Sequence, residues 1–229
     1  MTEKTDRILL CAATRWESEP LAAALRLVKT FDRRWEGTLA GRSLVLVQTG
    51  MGPVKTGERL IELSDEEFGV ALSVGFAGAL QPQMFTGDIV CDARGSDADL
   101  PGVARAISSR KGLALHFGKI AHSDRVVASP EDKLSMGVAL RASAVDMETQ
   151  ALRAWADERE LPVLAVRVVL DSVDERLPSA VPDGEDFVSL ARFAARSWRD
   201  LPSLMTLGLR QKRAIARLAS FLVELLPKL

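Results

Sequence analysis

The stretch Val163–Asp174, VLAVRVVLDSVD, decides the fold. Eight positions run apolar but for one arginine, Arg167, and two carboxylates follow, Asp171 and Asp174. A strand that is apolar on both of its faces, instead of alternating, belongs to a sheet covered on both sides. Reading outward, strand-like runs recur at 7–13, 43–49, 69–76, 87–93, 114–121 and 143–146. Helix-period segments fall between them at 17–28, 54–64, 130–139 and 147–159, and two more close the chain at 184–197 and 210–226. Alternating elements of this kind predict an α/β fold, a single three-layer α/β/α domain with a central mixed, largely parallel twisted sheet. No repeat, low-complexity tract or linker divides residues 1–229. The expectation is one domain with a helical C-terminal extension at about 202–229.

Composition narrows the function. With 229 residues, 47% of them hydrophobic, the chain can bury a sizeable core. Its 30 basic and 31 acidic residues leave a formal net charge of -1, so no excess charge points to nucleic acid or to a membrane surface. A small-molecule ligand fits better. The basic run RQKRAIAR (210–217) lacks the aromatic interleaving of a nucleic-acid face. Cys11 and Cys91 lie in apolar runs and read as buried free thiols, in keeping with a reducing, cytoplasmic setting. The N-terminus reads as no signal peptide, and no window approaches the roughly 18 apolar residues of a membrane span, so no membrane insertion is expected. His116 and His122, the two histidines, lack the companions of a zinc site, and no metal is expected.

In open α/β sheets, ligands bind where loops converge outside the carboxyl ends of the strands. Asp171 lies at such an end. Glu17 follows the first strand, and Asp146 and Glu148 follow the short strand at 143–146. Each has an ordinary structural reading: Asp171 as a loop acid, Glu17 as a first-turn glutamate favoured by the helix dipole, Asp146 as an N-cap and Glu148 as a first-turn acid. Their convergence on one sheet edge is what suggests a site. Arg167, inside an apolar strand, demands a nearby acid if it is buried. The pieces TGMGP (49–53) and GFAGA (75–79) read as Gly-rich turns that permit close backbone approach to a ligand, and neither is a Walker loop or a dinucleotide fingerprint.

Five segments, AATRWE, TGMGPV, SVGFAGALQPQMFTGDIV, VDMETQAL and VRVVLDSVD, occur in the order and approximate spacing of the nucleoside phosphorylase superfamily, and over residues 7–200 the chain resembles its methylthioadenosine/S-adenosylhomocysteine nucleosidase branch. The resemblance implies a phosphorylase/hydrolase-like fold and cleavage of the N-glycosidic bond of a purine-type nucleoside, with no cofactor and in a homodimer. It assigns Asp171 as the acid that protonates the leaving base, Glu148 as the group gripping the sugar hydroxyls, and Met147 as packing against the sugar. Phe76, Ala77 and Gly78 would lie beside base and ribose, and Val126 and Val127 would line the base through their backbone. Glu17 matches the water-binding glutamate of the nucleosidases, and Arg167 would pair with it. Phe76, where relatives often carry a small hydroxyl residue, also leans toward water.

Three other readings follow from the same residues. Arg15 offers a phosphate ligand, in which case phosphate becomes the co-substrate of a nucleoside phosphorylase. The apolar C-terminal segment adds a hopanoid-associated, adenosylhopane-type alternative. Leu170, where the adenine-specific nucleosidases usually carry a serine that orients the acid, raises a nucleoside-binding protein without turnover. Retention of Glu17, Glu148 and Asp171 favours the enzyme, because three mutually repelling carboxylates cost a mere binder stability.

Overall fold

The computed structural model describes residues 6–94, 99–177 and 201–229, with only the backbone path for 201–207. Among these, β1 (Arg7–Ala12), β4 (Arg42–Gln48), β5 (Val70–Ala79) and β10 (Val163–Asp171) form the centre of the sheet, with β1 pairing parallel to both β4 and β5, and β5 parallel to β10. β2 (Val28–Phe31) and β3 (Arg34–Leu39) extend the β4 edge as antiparallel strands. On the other side β6 (Ile89–Asp92) pairs antiparallel with β10 and parallel with β7 (Leu115–Phe117). The order is β2-β3-β4-β1-β5-β10-β6-β7, with β9 (Ala144–Asp146) bridging the end of β5 to β8 (Ile120–His122). The mixed, largely parallel α/β expectation holds.

Helices cover both faces. α1 (Arg15–Ala24), α3 (Leu100–Lys111) and α6 (Leu201–Leu225) enclose one cluster, in which Leu10, Leu21, Leu72, Ile107, Val166, Leu218 and Phe221 are buried. α2 (Pro53–Ile61) and α5 (Thr149–Asp157) enclose the opposite one, built on Leu9, Val45, Leu60, Leu152 and Trp155. α4 (Pro130–Leu140) packs beside the β8–β9 pair, and Leu226–Lys228 is a short 3-10 turn. The even and odd residues of β1 thus enter different clusters. That is the period-two alternation of a strand buried on both faces, and it explains the unbroken apolar runs of the sequence.

The structure corrects several boundaries. The 114–121 run is two strands, broken at Gly118 where a Cβ would lie 2.0 Å from Ser143 Oγ, so the chain crosses there from β6 to β9. GFAGA is no turn: β5 continues to Ala79 because Gly78 and Ala79 find a second partner in Val145 and Ala144 of β9. Residues 28–39, to which the sequence reading assigned no element beyond a helix ending at 28, are a hairpin whose β2 faces water and lacks a strong apolar signal. α3 was not anticipated, although Asp99 before it, Pro101 in its first turn, apolar Leu100, Ala104 and Ile107, and left-handed Gly112 after it are legible marks. The predicted helix at 184–197 lies outside the described residues.

The C-terminal segment is part of the domain core. Ala214, Ile215, Leu218, Phe221, Leu222 and Leu225 of α6 are all 3% exposed or less, against α1, α3 and β10. Cys11 and Cys91 are free and buried, and burial pushes both thiols up to about 12. No described helix is long and apolar enough to cross a membrane. Phe221→Ala is expected to destabilise the fold by about 3–5 kcal/mol through the cavity it leaves, measured by urea unfolding. A peripheral appendage would lose almost nothing.

Candidate active site

The carboxyl ends of β1, β4, β5 and β10 point to one edge of the sheet, and the sequence places an acid after β1, a glycine turn after β4, glycines toward the end of β5 and an acid at the end of β10. After β1, Thr14 caps α1 and Glu17 enters the first turn. Thr14 N–H and Oγ1 donate to Glu17 Oε2 at 2.8 and 2.9 Å, and Phe76 N–H donates to Oε1 at 2.7 Å. Glu17 is therefore a first-turn glutamate, as its ordinary reading held, that also closes a capping box with Thr14 and is bound to β5 across the site. Of its roughly four lone-pair positions these bonds take three, leaving one on Oε1. Burial raises its pKa; the field of Arg167 and these hydrogen bonds oppose the rise.

Arg167 is the centre of the cluster, 1% exposed in mid-β10. Its Nη2 lies 2.7 Å from Asp146 Oδ2 and 3.6 Å from Glu148 Oε2, and donates to Ser73 Oγ at 2.6 Å. Its Nη1 donates to the Val74 carbonyl at 3.2 Å. The direct partner is thus Asp146, which the sequence reading left as a cap, and not Glu17; Glu17 is reached only through the electrostatic field, its hydrogen bonds going to Thr14 and Phe76. The N-cap position of α5 is Glu148 and not Asp146; Asp146, two residues earlier, still holds the first helical residue, Oδ1 accepting Thr149 N–H at 3.2 Å and Oδ2 bonding Thr149 Oγ1.

Glu148, 8% exposed at the N-terminus of α5, accepts Gly52 N–H on Oε1 at 3.0 Å, which ties α5 to the glycine turn after β4. Gly50 and Gly52 hold φ of 90° and 87°, so this turn needs glycine. Burial raises the Glu148 pKa to about 7, with Arg167 pulling it down and Asp146 and Glu17 pushing it up. Met147 is half-buried, its Cε reaching toward Gly52.

β5 and β10 form the floor. Arg167 pairs with Gly75 and Asp171 with Gly78, so each charged side chain of β10 lies opposite a residue without a side chain. A Cβ on Gly75 (φ +135°) would fall 2.1 Å from Glu17 Oε1 and 2.9 Å from Arg167 Nη1; one on Gly78 would fall 3.3 Å from Asp171 Oδ2. A register shift between Val169 and Asp171 makes Leu170 a bulge residue and re-aims Asp171. Asp171 is 4% exposed, and its Oδ2 lies 2.6 Å from Nζ of Lys133 on α4. Burial raises its pKa while Lys133 opposes the rise. The sequence reading missed Lys133; a lysine in the first turn of a helix otherwise flanked by acids is weak notice of a buried cation.

Phe76 and Ala77 lie on β5 between the two glycine positions, Phe76 half-buried and Ala77 buried. Val126 is 38% exposed and Val127 packs beside Leu80, Ala121 and Val145, on the segment leading to α4. The structure thus draws Asp146, Glu148 and Arg167 into one ion-paired cluster, with Glu17 beside it in the field of Arg167 and Asp171 four residues further along β10. His116 bonds Asp88 at 2.9 Å and His122 bonds Asp124 at 3.0 Å. Arg15 lies over the Trp16 ring at 4.3 Å. Among the described residues no group of three His, Cys, Asp or Glu side chains could hold a metal ion.

A family model, the phosphorylase superfamily, matches residues 7–94 and 91–197. Over 187 residues the chain is 25% identical to the 5'-methylthioadenosine/S-adenosylhomocysteine nucleosidase of Haemophilus influenzae (strain PittEE), covering 69% of this chain and 79% of that protein. Its fold is shared with the 5'-methylthioadenosine/S-adenosylhomocysteine nucleosidase of Neisseria meningitidis in complex with methylthio-immucillin-A, at a TM-score of 0.72 and 23% identity over 98% of this chain and 100% of that one. The futalosine hydrolase of Helicobacter pylori is similar at a TM-score of 0.67 and 17% identity, over 94% and 97% of the two chains.

Two outcomes test this geometry. Gly75→Ala should lower stability by more than about 2 kcal/mol in urea unfolding, since the backbone conformation and the Glu17 contact both reject a Cβ. Glu148, raised in the folded state from an ordinary 4.5 to about 7, binds its proton more tightly folded than unfolded, so stability falls as pH rises between these values and stays low above them. Glu148→Gln removes that slope, and thermal melts above pH 7 should show a higher Tm than the parent, with the difference vanishing below about pH 4.5.

Proposed function

The chain belongs to the phosphorylase superfamily, and from that premise we propose that it hydrolyses the N-glycosidic bond of a purine-type, 5'-modified nucleoside by acid-assisted departure of the base. The similarity to nucleosidases and to a futalosine hydrolase supports hydrolysis. The observation that carries the reading is the pairing of charges at the sheet edge. Arg167 is committed to Asp146 and Glu148, and Lys133 to Asp171, whereas the carboxylate of Glu17 keeps an acceptor position. Phosphate needs cationic donors that are not already neutralised; water needs a carboxylate to orient it.

Each residue then has a task. Asp171, made a weaker acid by burial, gives its proton to a base nitrogen while the C1'–N bond breaks and its electron pair leaves with the base. Glu148 accepts hydrogen bonds from the sugar hydroxyls, and its charge favours the oxocarbenium-like sugar. Glu17 orients the water that adds to C1' and takes its proton. Arg167 holds Asp146 and Glu148 in register and keeps the acidic cluster from repelling itself apart. Met147 and Phe76, Ala77 and Gly78 line the sugar and base, with Val126 and Val127 beyond them. Water is the second substrate, and no cofactor enters. The protein works as a cytoplasmic homodimer: Val54 and Ile61, 72% and 69% exposed and seven residues apart on one face of α2, supply apolar surface for a partner beside the Gly52 turn.

Base release from methylthioadenosine, S-adenosylhomocysteine, adenosine, inosine and futalosine, with and without phosphate, tests the reading. Turnover without phosphate is expected, falling by about 100-fold or more in Asp171→Asn with little change in ligand binding, and lost in Glu17→Gln. Turnover that requires phosphate would assign the phosphorylase alternative instead.

A further inference from the structure

Lys133 is fully buried, although it sits in the first turn of α4 between Asp132 and Leu134. Its Nζ lies 2.6 Å from Asp171 Oδ2 and donates to the carbonyls of Ser172 and Glu175 at 2.9 and 2.7 Å. The ammonium thus has three oxygens around it, two of them carbonyls that accept its hydrogen bonds. The carboxylate contact is an ion pair outside good hydrogen-bond alignment, while the two carbonyl bonds clamp the segment that follows β10.

We infer that Lys133 is the positioning residue of Asp171, fixing which carboxyl oxygen carries the proton and holding the carboxylate once that proton has gone. The inference rests on the acid role proposed for Asp171. An ammonium has donors and no acceptor, so the oxygen against it, Oδ2, cannot carry a proton toward it. A protonated Asp171 places its hydrogen on Oδ1. When that O–H bond breaks and the N–H bond to the base forms, the charge left on the carboxylate lies beside Lys133. Leu170 leaves the neighbouring position without a hydroxyl to orient the acid, and the orientation comes from α4 instead.

Few other charges reach the pair. β5 presents Gly78 and β9 presents Val145, neither ionisable. The loop after β10 presents Asp174, exposed and held by Ser172 Oγ at 2.7 Å, and Glu175, whose carboxylate is bound by Arg210 of α6. The first turn of α4 adds Glu131, paired with Arg176, and Asp132. None of these replaces the ammonium at Oδ2.

Lys133→Met removes the charge at similar length, Lys133→Gln keeps amide donors for the two carbonyls so that the clamp survives if the Met variant does not fold, and Lys133→Arg keeps the charge. Two readouts are taken on the full chain: the titration of the Asp171 carboxyl followed by carbon-13 NMR, and the pH profile of kcat. In the Met and Gln variants the Asp171 titration and the descending limb of kcat should both move to higher pH by about one unit or more, because the charged form has lost its counterion. Plateau kcat should fall about 10-fold or more with KM within about 3-fold. The Arg variant should return the limb toward its original position. A titration and a limb that stay in place while only the Tm drops would reduce Lys133 to a structural strut and overturn the inference. If no nucleoside is turned over by the parent, the proposed function fails, and the carboxyl titration still decides whether Lys133 governs Asp171.

Discussion

Arg167 is the constraint on which the rest of this site depends. A guanidinium does not shed its proton in a protein, so one that is 1% exposed in the middle of a sheet must be met by acids, and burying it unpaired would cost several kcal/mol. Asp146 meets it directly and Glu148 more distantly. These acids come from the junction of β9 and α5, so the ion pair fixes where that junction lies against β10. Glu148 is then tied to Gly52, and through it the turn after β4 is held as well. One buried cation thereby ties three separate parts of the chain to one sheet edge.

The same burial sets the chemistry. Glu17, Glu148 and Asp171 are all raised by desolvation, and each is checked by a specific cation, Arg167 for the first two and Lys133 for the third. Burial and cation thus pull each carboxyl in opposite directions, the one favouring the protonated form and the other the charged form. The balance differs along β10: Arg167 serves a cluster of three acids, whereas Lys133 serves Asp171 alone. Such arrangements cost stability, since charges removed from water are repaid only in part by their partners.

Backbone details make room for this. Glycine stands opposite each charged residue of β10, Gly75 across from Arg167 and Gly78 across from Asp171. A bulge at Leu170 then turns Asp171 away from the regular alternation. Along β5 and β10, those are the positions where regular β structure gives way to the needs of the site, as is expected where function competes with packing.

The apolar runs at 7–13, 43–49 and 163–170, with acids after the first and last and a glycine turn after the second, were enough to specify a sheet covered on both faces with a site at its carboxyl edge, because burial on two faces leaves a periodicity that a chain carries in its own order. Glu17, Glu148, Asp171 and Arg167 were legible for the same reason: each stands at an element boundary or breaks an apolar run. The β2–β3 hairpin was not, since β2 is exposed and leaves no apolar trace, and α6 was read as a helix without its place in the core. What only the tertiary structure decided was partnership. That Arg167 pairs with Asp146 across 21 residues and not with Glu17, and that Lys133 reaches Asp171 from 38 residues away, follows from how β5, β9, β10 and α4 pack. Ion pairing acts over a few ångströms of space and carries no periodicity along the chain, so the sequence announces that a buried charge needs a partner but the fold alone selects which one.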